Sequence, residues 1–174
     1  MKKIFLFVVI LLATNVATFA QKIGYVDTDY ILSKIDEYKA AQTELDNISA
    51  SWQKEIEAKY TEIEKMYKAF EAEQILLTDE MKLKRQKDIA EKETDVKDLQ
   101  KQRFGIDGEL FKQRQALVKP IQDRVYNAIK AMAEKGAYSI IFDKASSITM
   151  LYSSPKLDKS DAVLKLLGLS EKKK

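Results

Sequence analysis

The sequence predicts an α+β fold that is mostly α: a long antiparallel helical hairpin arm projecting from a small base that contains β-strands. Three observations predict it. Between Ser33 and Lys135 no glycine occurs before Gly105 and no proline before Pro120, in a stretch rich in Ala, Glu, Lys, Gln and Leu, the strong helix formers. Apolar residues recur through that stretch at steps of three and four, which keeps one stripe on one helix face. Short β-rich runs flank it on both sides.

Residues 1–20 read as a signal peptide. Lys2 and Lys3 precede the apolar run Ile4 to Ala13, and Thr18-Phe19-Ala20 places small residues at the −3 and −1 positions of a cleavage site. Ten apolar residues fall well short of the roughly 20 needed to span a bilayer. No cysteine follows, so a lipid-modified N-terminus is not expected. The exported chain then begins at Gln21 and is expected to be soluble.

The base takes residues 21–34 and 118–170. Lys22 to Asp27 predicts a strand, and Thr28 is placed to cap a short helix through Tyr30, Ile31 and Leu32. Residues 35–117 form the arm, with its tip near 76–80. Its outgoing stripe runs Leu45, Ile48, Trp52, Ile56, Tyr60, Ile63, Met66 or Tyr67, Phe70; its returning stripe runs Ile89, Val96, Leu99, Ile106, Leu110, Leu117 and on through Ile121, Val125, Ile129 and Met132. Thr78 is a good N-cap, and Asp79 and Glu80 put negative charge in the first turn of the returning helix. Residues 35–77 should therefore pair with residues 79–125. A helix of about 40 residues reaches on the order of 60 Å.

Gly105 and Gly108 interrupt the returning helix on one face and read as a hinge; Pro120 should kink it where arm joins base. Beyond it, Tyr138 to Phe142 and Ile148 to Tyr152 suit a β-hairpin turning through Asp143 to Ser147. Pro155 ends that element. Ser160 is placed to cap a last helix through Val163, Leu164, Leu166 and Leu167, closed by Gly168, and residues 171–174 are a solvated Lys-rich tail.

Composition leans away from catalysis. Histidine and cysteine are both absent, which removes the usual general base, the commonest metal ligand and any disulfide. Asp27-Thr28-Asp29 has the spacing of a carboxylate pair, but no further ligand cluster accompanies it, so capping is the favoured reading. No nucleotide-binding loop, nucleophile elbow or zinc spacing occurs. No catalytic residue, metal site or cofactor is expected. From residue 21 onward, 28 basic and 27 acidic residues leave a net charge of +1, against a nucleic-acid partner. The first arm is acidic, with 7 basic and 12 acidic residues over 22–77, while 78–135 carries 14 and 11.

Two sets of residues are candidates for binding. Most of the arm aromatics Trp52, Tyr60, Tyr67, Phe70, Phe104 and Phe111 should be hairpin seam. A two-helix arm has no third layer, so some of this surface must stay exposed, and exposed apolar surface marks a binding site. Lys82, Lys84, Arg85 and Lys87, just past the tip, could contact an anionic surface, although Asp79, Glu80 and Asp88 flank them. The base, at roughly 65 residues, is near the size where a lone core is marginal. Oligomerisation through its strand residues Ile23, Tyr25, Val26, Ile140, Ile141, Phe142, Met150, Leu151 and Tyr152 is the expected remedy.

The opening KIGYVDTDYIL and the stretch PIQDRVYNAIKAMAEKGAYSIIFDKASSITMLYSSPKLDKSDAVLKLLG resemble the Skp/OmpH family of periplasmic chaperones, as does the strand–arm–strand–helix order. The resemblance covers essentially all of the chain after residue 20. It implies a homotrimer whose strands build a barrel-like body, with three arms enclosing an unfolded outer-membrane protein. The implied role is an ATP-independent periplasmic holdase with no small-molecule substrate. The family's basic arms are credited with lipid contacts, and the acidic first arm here departs from that. A structural coiled-coil scaffold or tether binding a folded partner is the alternative.

Overall fold

The computed structural model describes residues 21–146 and 150–169. The expected signal peptide and Lys-rich tail lie outside the described residues, as do Ser147, Ile148 and Thr149. In chain order the elements are β1 (Lys22–Val26), α1 (Thr28–Ser33), α2 (Asp36–Glu73), α3 (Asp79–Phe104), α4 (Glu109–Lys135), β2 (Tyr138–Asp143), a 3-10 turn (Pro155–Leu157) and α5 (Ser160–Leu166).

The arm is α2 folded back on α3 and the start of α4. At 38 residues α2 is about 57 Å long. The chain reverses after Glu73, and the Thr78 hydroxyl caps α3 by accepting the Met81 N–H at 3.3 Å, as the sequence predicts. The distal arm has its own seam of Ile56, Ile63, Ile89 and Val96, flanked by Met66, Phe70 and Leu99.

A second, larger cluster forms the base. Ala41 and Leu45 at the root of α2 meet Val118, Ile121, Val125 and Met132 of α4, and Val26, Ile31, Leu32, Ile35, Val163 and Leu164 close the core. β1 and β2 pair in parallel, with Ile23 opposite Ile140, Tyr25 opposite Phe142 and Val26 opposite Asp143. A parallel pair needs a crossover connection; here that crossover is the whole arm.

Four expectations need correction. Met150 to Tyr152 form no strand, and β2 pairs with β1, so the described residues contain no hairpin at this point. The Asp27 carboxylate, not Thr28, caps α1, accepting the Tyr30 N–H at 2.9 Å. The Thr28 hydroxyl is engaged elsewhere: it donates to Asp143 at 2.7 Å, tying the start of α1 to the end of β2. Ser160 does not cap α5, whose N-cap is Lys159. The buried Ser160 hydroxyl instead accepts the Asp27 N–H at 2.9 Å and donates to Asp158 at 2.6 Å. At the other end Gly168 closes α5 as expected. Its φ of +77° lets Gly168 N–H reach Lys165 O and Leu169 N–H reach Leu164 O, a Schellman motif. The returning helix breaks completely over 105–108, whereas α4 runs through Pro120 in helical form.

Candidate functional site

A two-helix arm has no third layer, so the side of each helix away from the seam faces solvent. The six arm aromatics divide accordingly. Trp52 and Phe70 are half-buried in the seam, while Tyr60, Tyr67, Phe104 and Phe111 are exposed. Both tyrosines keep their hydroxyls tethered across the arm. Tyr67 donates to the Glu93 carboxylate at 2.9 Å, which pushes the phenol pKa up, and Tyr60 donates to Gln100 at 3.5 Å. These rings thus lie along the α2–α3 groove with their faces partly open.

Sequence periodicity missed the most exposed apolar side chains of the arm. Ile106, assigned to the buried returning stripe, is 93% exposed. The break after Phe104 resets the helix phase, so the count across it points the wrong way. Ile75, Leu76 and Leu83 crown the tip, the first two nearly fully exposed. An apolar pair inside a turn was the available signal.

The tip cations are largely neutralised. Lys82 pairs with Asp79 at 3.5 Å, Arg85 with Glu73 at 3.5 Å and Lys87 with Glu91 at 3.7 Å, while Lys84 has no ion pair among the described residues. Such exposed pairs contribute little stability, but they leave no concentrated positive field.

Trp52 belongs to the joint where the returning helix is interrupted between α3 and α4. Its ring meets Phe104 edge-on, with centroids 6.2 Å apart, and carries the Arg103 guanidinium 4.5 Å above its face. Arg103 also pairs with Glu55 of α2 at 3.7 Å and, more closely, with Glu109 in the first turn of α4. Gln102 donates to Glu109 at 2.8 Å. The Gln102 hydrogen bond, followed by the hydrogen bond and charge of Arg103 and by Lys112, holds the Glu109 carboxyl below its ordinary pKa.

The base presents a third apolar surface. A groove of about 290 Å³ is lined by Ile23, Gly24, Tyr25, Phe142, Met150, Tyr152, Ser153 and Leu157. Beside it Leu151 and Tyr152 are 95% and 85% exposed, and Ile23, Ile140 and Phe142 are exposed too. Of the nine base residues singled out from sequence, Val26 is committed to the chain's own core, Tyr25 is buried against the groove floor, and Ile141 is half-buried. Among the described residues no cluster of His, Cys, Asp or Glu could hold a metal ion, and no helix is long and apolar enough to cross a membrane.

A jointed two-helix arm rising from a base built by both ends of the chain defines a helical-hairpin protein whose apolar surface lies on arm, tip and base rather than in a cleft. The chain belongs to the OmpH-like outer membrane protein family, whose family model matches residues 22–167. Among solved structures it is similar to a Caulobacter crescentus CB15 protein described as an OmpH-like outer membrane chaperone. That similarity has a TM-score of 0.66 at 16% identity, and covers 84% of this chain and 83% of the other. No curated protein sequence matches it.

Proposed function

We propose that this protein is an ATP-independent holdase of the periplasm that binds unfolded outer-membrane β-barrel proteins between helical arms and keeps them from aggregating. The observation that carries this reading is apolar surface spread along an arm with no third layer: Tyr60, Tyr67, Phe104, Ile106 and Phe111, with Ile75, Leu76 and Leu83 at the tip. Non-directional apolar contact suits a client without fixed shape. Membership of the OmpH-like family and the chaperone description of the solved relative support the same role.

Copies of the chain would meet through the base face around Leu151, Tyr152, Ile140 and Phe142, building a homotrimer whose arms surround the client. Binding uses no nucleotide, and the chain performs no catalysis. Gly105 and Gly108, with Pro120 nearer the base, would let the arm adjust to clients of different size. The neutralised tip cations make a membrane surface a secondary partner at most.

Multi-angle light scattering on residues 21–174, alone and with a urea-unfolded outer-membrane β-barrel protein, tests this. A trimer and a soluble complex with the client are expected. A monomer or dimer that leaves the client to precipitate would overturn the reading and favour a scaffold that binds a folded partner.

A further inference from the structure

We infer that Arg103 is an ionic latch on the arm, clamping the α3–α4 joint against the continuous helix α2, and that its release loosens α3 relative to α4. Its use in enclosing a client rests on the holdase reading; the latch itself does not.

The joint is built into the backbone. Gly105 and Gly108 are both extended, with ψ of 170° and 177°. A Cβ at Gly105 would lie 2.4 Å from the Lys101 carbonyl oxygen, and one at Gly108 would lie 2.8 Å from the Gly105 nitrogen and 2.9 Å from the Gln102 carbonyl oxygen. These neighbours are backbone atoms, which cannot swing aside. Side chains at these positions would force another shape, so the observed link requires both glycines. A single backbone hydrogen bond, Gly108 N–H to Gly105 O at 2.9 Å, spans the turn between them. A link of four residues with so little internal bonding does not fix the angle between two helices of 26 and 27 residues. Packing of both helices on the continuous α2 and side chains across the joint do so.

One guanidinium makes the charged contacts at the joint. Arg103, in the last turn of α3, reaches forward to Glu109 on α4 and sideways to Glu55 and Trp52 on α2. All three helices of the arm therefore converge on one cation. Gln102 supports the forward contact by donating to the other Glu109 oxygen. The planar fork of arginine can bridge two carboxylates while stacking on an indole, which an ammonium cannot. Its side chain is 24% exposed, and its Nε–H is buried with no acceptor among the described residues. The latch is thus desolvated enough to hold and open enough for salt to reach. It also sits within the candidate binding surface. Phe104, Gly105, Ile106, Leu110, Phe111 and Arg114 line a hollow of about 210 Å³ beside the joint. Loosening the joint would move Phe104 relative to Phe111 and reshape that hollow.

The chain has no native cysteine, so cysteines replacing the exposed Lys92 on α3 and Lys119 on α4 would accept spin labels without side reactions. Electron–electron distances would be measured in full-length chains diluted with unlabelled chain, so that each assembly carries one labelled copy. The expected result is one narrow distance for the parent. Arg103→Gln and Glu109→Gln should each give a distribution about twice as wide, as a hinge that absorbs motion in a few residues should. Raising salt to about 1 M, where the screening length falls to about 3 Å, should widen the parent and leave Arg103→Gln unchanged. Parent-like widths in both variants, or a parent indifferent to salt, would sink the latch. Should Arg103→Gln lose its helical signal, Glu109→Gln decides by the same readout. Client binding is read separately: wide variants together with a parent that fails to hold the client would keep the latch and remove the holdase reading.

Discussion

Replacing Ile63 by alanine should loosen the distal arm and leave the base intact. Ile63 is 5% exposed on α2 and packs with Ile56, Ile89 and Val96 in a cluster distinct from the base core. The substitution removes three carbons, a transfer loss of about 2.4 kcal/mol at roughly 0.8 kcal/mol per buried methylene. The cavity contribution should be small, because a two-helix seam is open on both flanks and Met66 and Phe70 can settle inward. The expected cost is therefore about 2–3 kcal/mol, the low end of the range for such changes. By comparison Ile31, fully buried in the base, should cost about 4 kcal/mol when cut to alanine. Hydrogen exchange read by mass spectrometry resolves the two regions. Protection should fall across 56–73 and 79–99 and stay unchanged across 118–132. Equal losses in arm and base would show one cooperative unit and refute the separation of the two cores.

Three further expectations follow from single residues. Ala137 holds a φ of +52°, a conformation costing an L-residue about 1 kcal/mol or more; Ala137→Gly should gain about 0.5 kcal/mol after glycine's entropy loss, and a lower melting temperature would contradict this. Ser160→Ala strands the Asp27 N–H and should cost about 1–3 kcal/mol, measured by urea unfolding, where an unchanged midpoint would count against the network. The Glu109 carboxyl titrates below its ordinary value near 4.5 because Gln102 and Arg103 favour its charged form, with Lys112 beside it and Glu55 across Arg103. A carboxylate with a depressed folded pKa contributes stability above its ordinary pKa and loses it as pH falls through the lowered one. The difference in joint protection between the parent and Glu109→Gln should accordingly be constant above pH about 5 and vanish in stronger acid; a difference unchanged down to pH 3 would exclude this origin.

Most of the arm was legible because its information is local. Leu45, Ile56 and Ile63 on one helix and Ile89 and Val96 on the next are all buried, since a spacing of three or four is a direct statement about one face. The Thr78 cap acts within three residues. What failed depended on distant partners or on a change of phase. The order of Asp27 and Thr28 as caps is decided by Asp143, which takes the Thr28 hydroxyl from 115 positions away. Tyr138 to Asp143 has a β-rich neighbour close behind it, yet pairs with β1 at the other end of the chain. Ile106 fits the apolar count but lies past Gly105, where the helix has already ended. Of the candidate arm surface, the six aromatics were readable only as a group expected to be mostly seam, whereas Tyr60, Tyr67, Phe104 and Phe111 are exposed. Which surplus residues stay open was decided by the joint, whose Arg103 contacts cover part of Trp52 and leave Phe104 at the edge.

The parallel pairing of β1 with β2 also sets an order of events. Closing a loop of 115 residues in an unstructured chain carries an entropy cost of about 4 kcal/mol before any contact repays it. The arm removes that obstacle, because a hairpin that zips from its tip downward delivers residue 35 beside the root of α4 through neighbour-to-neighbour steps. This route predicts that helices come first and the sheet last, once Asp143 and Ser160 have arrived to clasp Asp27 and Thr28. A chain emerging N-terminus first therefore carries a growing arm but no finished base until residues 138–166 are free. The apolar face of that base comes into being only once β2 and α5 have joined β1 and α1.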